Sequence, residues 1–146
     1  MKRIYHLYQK SATSLRNFTL LLVRIVLAYG FFTPAIMKWK NLETTAEWFE
    51  GMGYPLPLIS VLLAATTELS GVVLLVLGFG TRIISVLLII VLLVAIFTVH
   101  SGNGFEAGNN GYEIPLYYIL MNLTLIAFGA GKYSMDRIFG YSANDQ

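Results

Sequence analysis

Apolar residues run along the chain in four long blocks, residues 17–37, 57–77, 81–99 and 114–131, separated by shorter polar connections. A helix needs about 20 mostly apolar residues to cross a bilayer, so the pattern predicts an all-α fold, a bundle of four transmembrane helices. The fourth block is the weakest, because it opens with Glu113, Pro115 and two tyrosines, a composition suited to the membrane interface. Pro115 falls in its first turn, where a missing N–H costs little. The connection 78–80 is so short that the second and third helices must be antiparallel neighbours. Between the first two blocks, Thr44 and Glu47 match a T-x-x-E capping box. They predict a short amphipathic helix carrying Trp48, Phe49 and Met52 until Gly51 and Gly53 break it, lying on the outer membrane surface as a lid. The connection 101–112 is rich in Gly and Asn, has no Lys or Arg, and is expected to be a flexible outer loop. Residues 1–16 then form a basic N-terminal segment, 17–140 one membrane domain, and 141–146 a polar tail expected to be disordered.

Charge orients this bundle. With the N-terminus inside, the cytoplasmic side holds Lys2, Arg3, Lys10, Arg16, Arg82, Lys132 and Arg137, and the other side only Lys38 and Lys40. A cytoplasmic excess of Lys and Arg sets topology, which predicts both termini in the cytoplasm and a multi-pass protein of the inner (plasma) membrane. The block 17–37 is longer than the roughly 7 to 15 apolar residues of a signal-peptide core and ends without a small-residue cleavage pattern, so it is expected to remain as a span.

Composition agrees, with 56% hydrophobic and 12% charged residues. The net charge of +2, carried on chain ends and loops with no basic stripe, argues against a nucleic-acid partner. The chain has no cysteine, which rules out disulfide staples, thiolate metal sites and a thiol relay carried by this chain alone.

Against this apolar background a few ionisable residues stand out: Arg24, Glu68, His100 and Glu113. A charge in hydrocarbon is costly, so each is a candidate functional residue. Arg24 and Lys38 are fourteen residues apart, close to four helical turns, and share a face with Ala28, Phe31 and Ala35. Arg24 sits roughly 6 Å on the cytoplasmic side of its span's centre, and its plainer reading is snorkelling toward that interface. Glu68 is too short and too central to reach either headgroup layer. It must pair with a cation, be protonated or touch a polar ligand, and its plainest reading is an Arg24–Glu68 salt bridge that pins two helices. His100 and Glu113 lie at the outer end with Lys38, near Tyr112, Tyr117 and Tyr118. Histidine can relay protons or bind a metal, although a lone histidine at a helix end is commonly a hydrogen-bonded interfacial residue. Together these residues fit proton-coupled work on a polar ligand of quinone size, with Glu68, His100 and Glu113 as candidate catalytic groups. Arg24, Lys38, Tyr112 and Tyr117 are the candidate cofactor-binding groups. A metal held by His100, Glu113 and Glu68 is a weaker reading, and Met37 and Met121 read as packing residues.

The chain resembles the DoxX family. The likeness rests on Leu22, Arg24, Gly30, Phe31 and Lys38, then Phe49, Gly53, Pro55 and Pro57. It continues through Glu68, Leu69, Ser70 and Gly71, then Gly78, Thr81 and Arg82, the pair Ala95 and His100, and Gly111, Tyr112 and Glu113. It closes on Gly129, Ala130, Gly131, Tyr133, Ser134, Met135 and Asp136. Where the family has a Gly-Gly pair after the acidic residue, this chain has Ser70 and Gly71, which alters packing more than chemistry. The resemblance implies a four-helix membrane protein of bacterial or archaeal type. Its relatives include a small membrane subunit of a thiosulfate:quinone oxidoreductase, a membrane partner in thiol and superoxide defence complexes, and a membrane protein linked to maturation of copper-binding peptides.

Three functional readings follow. In the first, the chain is a quinone-linked redox subunit that works with a partner supplying electrons, and an apolar side opening admits the isoprenoid tail. The second is a non-catalytic scaffold or accessory protein with a closed, fully paired interior. The third is a small-molecule carrier, which four spans would support only as a dimer or larger. Small residues Gly71, Ala64 and Ala65 would allow close helix contact, predicting a homodimer or a hetero-complex.

Overall fold

Helix α1 runs unbroken over Lys2–Lys40, well beyond the apolar block that predicts it, and its apolar portion covers Ser11–Lys40. The structure, a computed structural model, describes the backbone of residues 2–140 and the side chains of residues 9 and 11–140. The polar tail expected at 141–146 lies outside the described residues. Helices follow in the order α2 (Leu42–Gly51), α3 (Pro57–Leu77), α4 (Thr81–Ala95), α5 (Glu113–Phe128) and α6 (Met135–Ile138). There is no strand among the described residues.

Three segments, Ser11–Lys40, Pro57–Leu77 and Thr81–Asn103, are long and apolar enough to cross a membrane. Helix α5 has 16 residues, about 24 Å at 1.5 Å per residue, and is shorter than the roughly 30 Å hydrocarbon core. Large apolar side chains point outward along all four, among them Tyr29, Leu63, Ile83, Phe97 and Leu120. That inversion of the soluble pattern is expected where lipid is the solvent.

Helix α1 packs chiefly on α3, α3 on α4, and α4 on α5, while α1 and α5 meet only sparsely. The core between them holds Leu20, Leu27, Ala28 and Phe31 of α1, Leu75 of α3, Ile84, Leu88 and Leu92 of α4, and Leu125 of α5. The stripe from Arg24 to Lys38 therefore faces protein, with Ala28, Phe31 and Ala35 buried. Ala65 is buried, and a Cβ at Gly71 would meet Leu88 Cδ2 at 2.9 Å. At Gly71 the close contact expected from a small residue is thus made inside the chain, between α3 and α4.

One local expectation is corrected. Helix α2 begins at Leu42, so Thr44 and Glu47 lie inside it and form no capping box. The break after α1 is made instead by Asn41, whose side-chain amide donates to the Met37 carbonyl at 2.9 Å. The loop 101–112 is folded on itself: Gly111 N donates to Glu106 O, Tyr112 N to Gly104 O and Glu113 N to Phe105 O, all within 3.0–3.1 Å.

Candidate functional site

Call the end where α1 stops and α5 starts the upper end, and the α3–α4 turn the lower end. The polar residues expected to form one cluster divide between these two ends, because α1 and α3 are antiparallel. Arg24 lies level with Gly78 at the lower turn, and Glu68 is ten residues earlier on α3, about 15 Å up the bundle. An arginine cannot bridge that distance, so the expected Arg24–Glu68 salt bridge does not form.

Glu68 is paired with Lys38 instead. Lys38 Nζ lies 2.9 Å from Oε1 and 2.8 Å from Oε2, so one ammonium holds both carboxylate oxygens. Glu68 is buried and Lys38 is partly so. The pair forms one wall of an upper cavity of about 310 Å³. Its remaining walls are Gly30, Phe31 and Pro34 of α1, Val91, Leu92 and Ala95 of α4, and Ile114, Pro115 and Tyr118 of α5. His100 and the loop residues Ala107, Asn110 and Gly111 close it from above. The lid is therefore the second connection. Helix α2 packs against α3, and its buried Phe49 stacks on Tyr54 of the connection between them at 4.5 Å.

Three features shape this cavity. The first is the π-helical turn Ile96–His100 that ends α4. Two α-helical turns take about seven residues, and the wider π-turn takes one more. His100 stands eight residues after Leu92, and both face the cavity. In an unbroken α-helix that place would fall to Val99. The second is the His100 ring itself, whose Nδ1 is 2.8 Å from the Asn110 carbonyl oxygen. A carbonyl only accepts, which assigns the proton to Nδ1 and leaves Nε2 of the neutral ring as an acceptor. The third is Pro34, which has no N–H to give the Gly30 carbonyl four residues earlier. Gly30 also lacks a side chain where Tyr118 crosses, since a Cβ there would overlap the tyrosine ring. Tyr118 in turn packs on Phe31, with centroids 5.7 Å apart.

The other candidates sit elsewhere. Glu113 is outside the cavity lining and ties the loop to α5: Oε2 accepts from Ala107 N and Oε1 from the Tyr117 hydroxyl, each at 3.0 Å. Tyr117 is thereby committed to Glu113, and Tyr112 packs edge-on against Phe105 with centroids 5.5 Å apart. Among the described residues no three His, Asp or Glu side chains converge as a metal site, so His100, Glu113 and Glu68 do not assemble into one. Pro34 and the π-turn are the parts sequence reasoning missed, and Tyr118, named there only as a neighbour, lines the cavity in place of Tyr112 and Tyr117. Of these only the Gly30/Pro34 spacing carried a signal, the four-residue offset that frees a carbonyl.

Arg24 belongs to a lower knot. It is completely buried, donates through Nη2 to the Tyr133 carbonyl, and is electrostatically coupled to Asp136. Asp136 Oδ1 accepts from Gly80 N at 2.7 Å and Oδ2 from Thr81 N at 3.1 Å, while its own amide donates to Gly78 O at 2.9 Å. Gly78 has φ +66°, and a Cβ there would overlap the Arg24 guanidinium. The knot ties the segment after α5 beneath the α3–α4 turn.

Comparison with known proteins places this arrangement. The DoxX family model matches residues 19–101, a stretch that includes Lys38, Glu68 and His100. A protein of Haemophilus influenzae described as uncharacterized is 35% identical over 124 residues, 82% of each chain. The "Putative oxidoreductase CatD" of Bacillus subtilis is 33% identical over 105 residues, 72% of this chain and 76% of its own. The "Inner membrane protein YphA" of Escherichia coli is 31% identical over 74 residues, 51% of this chain and 53% of its own. No solved structure matches. By the family match and by the length shared with these relatives, the chain belongs to the DoxX family of membrane proteins.

Proposed function

We propose that the upper cavity binds the headgroup of a quinone and that the protein is the membrane subunit of a quinone-linked oxidoreductase. The observation that carries this is the presence of a charged donor, Lys38, and of His100, whose Nε2 is left as an acceptor, in the lining of one cavity of about 310 Å³. A quinone bound there would supply two-electron, two-proton redox chemistry. Lys38, held by both oxygens of Glu68, would donate a hydrogen bond to one ring oxygen, and His100 Nε2 would exchange a proton at the other. Phe31, Leu92 and Ile114 exclude water around them. The chain has no cysteine, and electrons come from a partner subunit or its substrate. The name of the Bacillus relative, an oxidoreductase, supports this reading.

The same proposal places α5 as a fourth span. It packs antiparallel along α4, and its two ends lie level with the ends of that span, at the His100 loop above and at Arg82 below. A helix beside a spanning neighbour over its whole length shares the membrane with it. The lysine and arginine distribution then sets both termini in the cytoplasm and the cavity toward the outer face of the inner membrane.

The test is mass spectrometry of lipid extracts from protein purified in mild detergent, for wild type and for Glu68→Gln and His100→Ala. The expected result is near-stoichiometric quinone on wild type, reduced more than severalfold in both variants while they stay folded. Absence of quinone from wild type, or equal retention by all three, overturns the proposal. Loss of melting temperature without any difference in bound quinone would mark the pair as a helix lock of the scaffold kind.

A further inference from the structure

The lower end carries a second cavity, of about 360 Å³, between the α3–α4 turn, the start of α4 and the end of α5. Its walls are apolar, from Phe79, Ile83 and Ala130, and Phe79 is backed edge-on by Phe139 at 5.9 Å between centroids. Two charged residues border it. Asp136 is spent, since its two oxygens accept the Gly80 and Thr81 amides and it is coupled to Arg24. Arg82 is not: it is exposed and has no hydrogen-bond or ion-pair partner among the described residues. Its Nε and Nη2 lie 3.7 Å from where a Cβ on Gly129 would sit, so the guanidinium rests over the turn that ends α5 and faces the cavity mouth. Beyond it Ile83 is 72% exposed and Phe128 60%, an apolar surface continuous with the cavity wall.

We infer that this cavity is a binding site for one anionic phospholipid, with its phosphate on Arg82 and the first part of an acyl chain against Phe79 and Ile83. A planar guanidinium matches two phosphate oxygens at once, and the spent carboxylate leaves no anionic group to pair with the cationic head of a zwitterionic lipid. A free phosphate ion would gain nothing from the apolar wall. This site is independent of the upper cavity and of any redox role.

The test is native mass spectrometry of the purified full chain supplied with an equimolar mixture of phosphatidylglycerol and phosphatidylcholine of identical acyl chains. Wild type is expected to retain phosphatidylglycerol in roughly fivefold excess, the factor that about 1 kcal/mol per basic residue at an anionic surface provides. Arg82→Gln abolishes the excess, Arg82→Lys keeps part of it, and Lys132→Gln, an exposed charge outside the cavity, keeps all of it. Ile83→Trp, which fills the wall without changing charge, lowers retention of the lipid. Equal retention of both lipids by wild type, an equal loss in Lys132→Gln, or displacement of the lipid by inorganic phosphate alone overturns the inference.

Discussion

At the scale of single residues, the decisive fact is that Lys38 and Arg24 each have a partner of their own. Lys38 takes both oxygens of Glu68, and Arg24 takes the Tyr133 carbonyl beside Asp136. Removing one member of a buried pair leaves the other uncompensated and costs about 3–5 kcal/mol, whereas replacing both with apolar groups is often neutral. Lys38→Met should therefore lower the unfolding free energy in detergent by about that amount, and Lys38→Met with Glu68→Leu should regain most of it. Equal destabilisation by the single and double variants would show that the pair is not what holds the two helices. At Gly78, alanine would meet both the left-handed backbone and the Arg24 side chain. Gly78→Ala should cost at least about 2 kcal/mol, with Gly80→Ala, where a Cβ meets nothing within 4 Å, costing less. The sequence pointed to Arg24 and Glu68 as buried, because charge within an apolar block is visible without a structure, but not to Asp136, which lies outside the blocks. It did not show who pairs with whom, since the axial offset between α1 and α3 depends on the Gly78 turn and on the depth to which Arg24 is drawn beneath it.

Among the elements, the four apolar helices and their order were legible from hydrophobic block length alone, as was the short α2. What was not legible is local geometry that leaves no periodic trace. The capping box at Thr44 and Glu47 matched a motif, but Asn41 starts α2 three residues earlier because its side chain is already bonded to α1. The π-turn at Ile96–His100 is a change of one residue in register, invisible in an apolar run, and it decides which residue faces the cavity. If that turn sets the register, exchanging the two neighbours, Val99→His with His100→Val, turns the imidazole away from the cavity and releases the bound quinone. Deleting Phe97 shortens the segment by one residue and leaves the imidazole seven residues from Leu92, which keeps it on the cavity face. Quinone content of the two purified variants checks this: retention by the exchange variant together with loss by the deletion would contradict the register assignment.

The whole molecule is a bundle with a hydrogen-bonded knot at its lower end and a cavity at each end. The lower knot binds the chain after α5 beneath the α3–α4 turn, while the upper cavity lies among α1, α3, α4 and α5. The proposed topology can be read by labelling, because the chain has no cysteine. Single cysteines placed at Gln9 and Gly140 should react with an impermeant maleimide from the same face of sealed membranes, and cysteines at Glu43 and Glu106 from the other. Labelling of residues 9 and 140 from opposite faces would remove α5 as a span. The most direct test of the central claim is photolabelling of the membrane-embedded protein with an azido-quinone, followed by peptide mapping. The account predicts label on segments lining the upper cavity, residues 30–38, 91–100 or 110–118, competed by unmodified quinone and lost in His100→Ala. Label confined to the lower end or to the lipid-facing surface, or label indifferent to competitor, would contradict it.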